Sequence, residues 1–133
     1  MAESAIHMGY VTMLGEFVQD KLSDSEHIHI LMDKPDSAEI PPHVVNGYRP
    51  DLYYKHNDTV IIGEAKTDED FDRPHSIEQY KSYLEECANC QGEAILILAG
   101  SWRISPAYAN LLRLLRRQLS SSVTVMVINE MGL

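Results

Sequence analysis

The stretch RPDLYYKHNDTVIIGEAK, residues 49–66, holds two carboxylates and an ammonium on what reads as a strand, a turn and a second strand. Side chains on a strand alternate faces, so Glu64 and Lys66 point the same way, with Val60 and Ile62 beneath them. Asn57 and Asp58 are turn residues that tolerate positive φ. With those two as the loop, residue 56 pairs with 59 and residue 51 with 64. Asp51 and Glu64 then become cross-strand neighbours, with Cβ atoms about 4.5–5.5 Å apart. Opposed carboxylates repel, and such a pair persists most easily with a cation between them. Mg²⁺ suits that need, since it takes one or two protein carboxylates plus water and substrate phosphate. Lys66 is set to orient or help deprotonate a water, or to stabilise charge developing on phosphorus. These are parts for metal-assisted phosphodiester hydrolysis. The bland alternative is that Asp51 merely starts a strand while Glu64 and Lys66 form a solvated pair worth under about 1 kcal/mol.

Several elements must position this set. Residues 5–22 predict an amphipathic helix in which Ile6, Tyr10, Met13, Leu14, Phe17 and Val18 recur on one face, with Glu16 on its flank. HIHILMD, 27–33, predicts a strand, and the proline-rich segment 34–50 a loop. DLYYK, 51–55, and TVIIGEAK, 59–66, form the hairpin. After the acidic loop 68–74 a helix begins near Pro74, with Ile77, Tyr80, Leu84, Cys87 and Ala88 as its apolar stripe. EAILILAG, 93–100, is apolar throughout, as expected of a strand buried on both faces. A helix over 106–119 and a strand over 122–129 follow. The expectation is a single α/β domain over 1–133, its mixed β-sheet flanked by helices, in the order α-β-β-β-α-β-α-β.

The remaining features set bounds. A net charge of −9 argues against a broad basic surface, although four arginines and only one acidic residue follow position 100. Arg113, Arg116 and Arg117 share one side of their helix, which reads as a solvated face more readily than as a phosphate contact. Tyr48, Tyr53 and Tyr54 read as packing residues rather than base-stacking ones. Cys87 and Cys90 lack a second ligand pair and read as structural, reduced thiols. His27 and His29 have no third ligand at suitable spacing, so no transition-metal site is expected there. No run approaches the roughly 18 apolar residues of a membrane span. Without a recognisable secretory signal, the expected location is cytoplasmic.

Pro50-Asp51 followed by Glu64-Ala65-Lys66 resembles the signature of the PD-(D/E)XK nuclease superfamily, whose restriction-endonuclease-like core is α-β-β-β-α-β. Gln79 and Tyr83, spaced as QxxxY on the following helix, are similar to a motif of the RecB-like and phage-exonuclease branches. An i, i+4 pair projects to one side of its helix, and here that side is the polar flank. The resemblance implies a nuclease acting on DNA with Mg²⁺, for which Mn²⁺ substitutes. It implies that Asp51 and Glu64 bind the metal, that Lys66 is catalytic and that Glu16 completes the metal shell. Gln79 and Tyr83 would then line the active-site cleft and meet the substrate. Independently of the resemblance, Arg49, Arg73 and His75 are candidates to meet its phosphate, the equal alternative for Arg73 and His75 being loop residues that offset the acidic run Asp68-Glu69-Asp70-Asp72. A homodimer or larger complex would supply basic surface that this chain lacks. The competing expectation is a nuclease-fold scaffold of weak or absent activity that binds nucleic acid or protein.

Overall fold

The structure, a computed structural model, describes residues 5–34, 41–119 and 123–132. Strand alternation sorts the core into two layers, one on each face of a single sheet. The strands are β1 (Ile30–Met32), β2 (Leu52–His56), β3 (Thr59–Ala65), β4 (Ala94–Ala99) and β5 (Thr124–Ile128). They lie side by side in chain order. β1, β2 and β3 form an antiparallel meander, while β3, β4 and β5 run parallel. Each parallel step needs a crossover, supplied by α2 (Pro74–Ala88) and α3 (Ser105–Gln118). Tyr53, Ile62, Leu96 and Leu98 pack against Tyr80, Leu84, Tyr108 and Leu112 of those two helices. Leu52, Tyr54, Ile61 and Ile97 turn the other way and meet Val11, Leu14 and Val18 of α1 (Ala5–Lys21). The expected α/β order with a five-stranded mixed sheet is the observed one. No helix among the described residues is long and apolar enough to cross a membrane.

Two local expectations fail. The strand over 27–33 shrinks to the three residues of β1, because Asp24–His29 form a 3₁₀ turn. His27 Nε2 lies 2.8 Å from the Gln19 carbonyl and 3.2 Å from that of Leu22, at the end of α1. Glu26 accepts the Ser23 N–H at 3.2 Å. These bonds hold the backbone in a turn where the histidines alone suggested extension. The face of α1 is also rotated: Ile6 is exposed, and Val11, Leu14, Gly15 and Val18 are buried. Gly15 explains the rotation. A Cβ there would lie 2.6 Å from Met32 Cε, so the helix approaches the sheet along its smallest residue.

Candidate active site

Asn57 takes φ 55° in the turn between β2 and β3, and pairing then runs from His56–Thr59 to Leu52–Gly63. One step further, Asp51 and Glu64 meet as the register predicts. The Asp51 N–H donates to Glu64 Oε1 at 3.2 Å, and the Ala65 N–H donates to Asp51 Oδ2 at 2.9 Å. Both carboxylates are buried, at 6% and 4% exposure. Lys66 Nζ sits 3.4 Å from Glu64 Oε2 and donates to Gln79 Oε1. The Tyr83 hydroxyl donates to Glu64 Oε1 at 3.4 Å.

Gln79 and Tyr83 are buried, not on a solvated flank. Their polar ends are satisfied by Lys66 and Glu64, which lets both side chains turn inward. Tyr83 keeps its proton because burial, then the charges of Glu64 and Asp51, raise its phenol pKa. Glu64 is pushed up to about 8, first by loss of water, then by the Asp51 charge, with Lys66 opposing.

A cavity of about 250 Å³ opens over this set, lined also by Asp33, Arg49, Thr67 and Asp70. α1 sends His7 into its wall, with Nε2 3.2 Å from Asp51 Oδ2. Sequence reasoning missed His7, although it continues the buried stripe of Val11, Leu14 and Val18 at helical spacing. Glu16 is exposed and is not among the lining residues. It stands nine residues beyond His7, roughly 13 Å along a helix axis.

Arg49 lines the cavity and donates to the Pro42 carbonyl at 2.6 Å. Arg73 and His75 stay outside it. Arg73 donates to the Glu69 carbonyl at 2.9 Å, and His75 meets Tyr48 edge-on at 5.5 Å. Tyr53 and Tyr54 are buried packing residues, and both cysteines are free thiols. A larger cavity, about 310 Å³, lies near the hairpin turn, but Lys55, Asp58 and Glu86 on its walls are not buried.

Among the described residues, no three His, Cys, Asp or Glu side chains form a cage for an ion. A hard cation such as Mg²⁺ does not need one, because one or two carboxylates with water and substrate phosphate complete its shell. The oxygen-donor pair Asp51–Glu64 fits that chemistry. A buried carboxylate pair whose like charges already raise Glu64 gains from a positive neighbour. No family model matches the chain, and neither a curated protein nor a solved structure matches it.

Proposed function

We propose that the chain is a metal-dependent nuclease of the PD-(D/E)XK type, with a restriction-endonuclease-like fold, hydrolysing DNA phosphodiester bonds. The observation that carries this reading is the buried, mutually bonded pair Asp51–Glu64 with Lys66 beside it. Such an arrangement is unfavourable for a surface and useful for chemistry on phosphate.

Asp51 and Glu64 would hold Mg²⁺, or Mn²⁺ in its place, through their carboxylate oxygens. When bound, such an ion supplies a polarised phosphoryl oxygen and a water of lowered pKa. His7 orients Asp51 from α1. Lys66 brings positive charge to the cavity, where it orients a water or meets charge developing on phosphorus. Gln79 fixes the Lys66 ammonium, and Tyr83 fixes the Glu64 carboxylate. Arg49 is the arginine at the cavity for a backbone phosphate. With a net charge of −9, grip on a duplex would come from a second copy of the chain or from a partner.

Internal donors already occupy Asp51 Oδ2 and Glu64 Oε1, which favours a second reading: a scaffold that keeps the fold and binds nucleic acid or protein without turnover. The deciding experiment is cleavage of labelled linear, circular, single-stranded and branched DNA with Mg²⁺ or Mn²⁺, each paired with EDTA and with Lys66→Ala. Metal-dependent cutting that falls by about 10²-fold or more in Lys66→Ala is the expected result. A folded, metal-binding chain that cuts none of these substrates would leave the scaffold.

A further inference from the structure

The parallel strands β3, β4 and β5 end on one rim of the sheet, the side where parallel sheets take their ligands. A second cavity there, about 330 Å³, adjoins the candidate active site through Thr67, which lines both. Its size suits a small ring system, being at the lower end of the roughly 300–1,000 Å³ of small-molecule sites. Tyr10 of α1 and Trp102, from the turn after β4, bring two aromatic rings to it. Trp102 is 56% exposed, and the Arg103 guanidinium lies 5.9 Å from its ring centroid.

The turn that carries Trp102 is held in place. Its backbone N–H donates to Glu130 Oε1 at 3.2 Å, and the Ser101 hydroxyl donates to Asp68 Oδ1 at 2.7 Å. Gly100 packs so closely that a Cβ would stand 3.0 Å from Ile104 Cδ1 and 3.3 Å from the Lys66 carbonyl. The indole is therefore presented by fixed backbone directly beside the end of β3.

The walls also say what does not bind. Asp68, Glu69 and Glu130 line the cavity and repel a backbone phosphate. Tyr10 lines the same cavity as Asp68 and Glu130, and burial, then their charges, raise its phenol pKa. A neutral, flat group with N–H donors on its edge suits both the aromatic rings and the acceptors. A nucleobase is such a group, with exocyclic amines on adenine, cytosine and guanine.

The geometry points to a nucleobase subsite formed by Trp102 and Tyr10, beside the phosphate site of Asp51, Glu64 and Lys66. This rests on the nuclease reading and sharpens it: the substrate carries an unpaired base next to the scissile phosphate, as a single strand or frayed end does. A base inside a duplex is already stacked and cannot enter.

The test uses the full chain in EDTA, where nothing is cut. Its single tryptophan is titrated with a short single strand and with an abasic strand of equal length and charge. Only the base-bearing strand is expected to quench the indole. Fluorescence anisotropy of the labelled strand should show Trp102→Ala weakening binding roughly 5- to 150-fold, the range for one lost base stack, with Trp102→Phe restoring most of it. Equal quenching by the abasic strand, or unchanged affinity in Trp102→Ala, would overturn the subsite. Hydrolysis is read separately with Mg²⁺. A chain that binds through Trp102 yet never cuts upholds the subsite and ends the hydrolytic reading; one that cuts while Trp102→Ala binds normally does the reverse. Because Trp102 is exposed, neither variant threatens the fold.

Discussion

Glu64 loses its water on folding and faces the charge of Asp51, so its carboxyl moves from 4.5 to about 8. Between those values the folded chain keeps a proton that the unfolded chain has released. The associated stability is complete below about pH 4.5 and is lost as pH rises through about 8. The melting temperature of the ion-free protein should therefore fall between about pH 5 and 8, and Glu64→Gln should flatten that fall. A slope that survives the substitution would have to come from other groups. A divalent cation competes with the same proton, so Mg²⁺ affinity measured by calorimetry should rise over this interval. Tyr83→Phe keeps the buried ring and removes only the donor to Glu64. Urea denaturation should register a loss of about 0.5–1.5 kcal/mol.

The hairpin of β2 and β3 acts as a ruler for the carboxylates, and its turn is clasped from outside. A Cβ on Gly92 would lie 2.1 Å from the Asp58 carbonyl oxygen, while the Cys90 thiol donates to that oxygen at 3.1 Å. Gly92→Ala should thus destabilise by about 1–3 kcal/mol in denaturant titrations, since backbone must move to admit the methyl. An unchanged midpoint would mean that the turn shifts freely. This hairpin was legible because Asn57-Asp58 offers a turn that accepts positive φ, and the register followed from counting. The QxxxY spacing was legible as well, though not its burial, which depends on partners thirteen and nineteen residues away. The turn at Asp24–His29 was not legible as such, because its bonds reach from His27 back to the carbonyls of Gln19 in α1 and Leu22 just after it. His7 was missed for a related reason. A histidine continuing an apolar stripe is a weak signal until the strand end opposite it is known.

Across the whole molecule, acidic charge exceeds basic by nine, and arginine at the candidate sites is confined to Arg49 and Arg103. Lys66 adds a third cation. Arg103 stands among carboxylates that repel phosphate, which leaves Arg49 and Lys66 as the phosphate contacts. Affinity for a single strand should therefore fall only gently with salt, with a slope of about −1.4 in a plot of log K against log salt, near −0.7 per phosphate contacted. A much steeper slope from the isolated chain would reveal a basic surface formed on assembly. The shared rim also has a consequence for how such a protein can diversify. Residues 64–67, 100–103 and 129–130 meet at the carboxyl ends of three neighbouring strands, yet they are far apart in the chain. The apolar core lies behind them and asks little of the exposed Trp102, Arg103 and Glu130. A substitution at Trp102 or Glu130 alters the lining of one cavity while leaving the hairpin, and with it Asp51 and Glu64, in place. Descendants of this sequence could therefore exchange what they recognise by changing the second and third segments, and inherit the first unaltered.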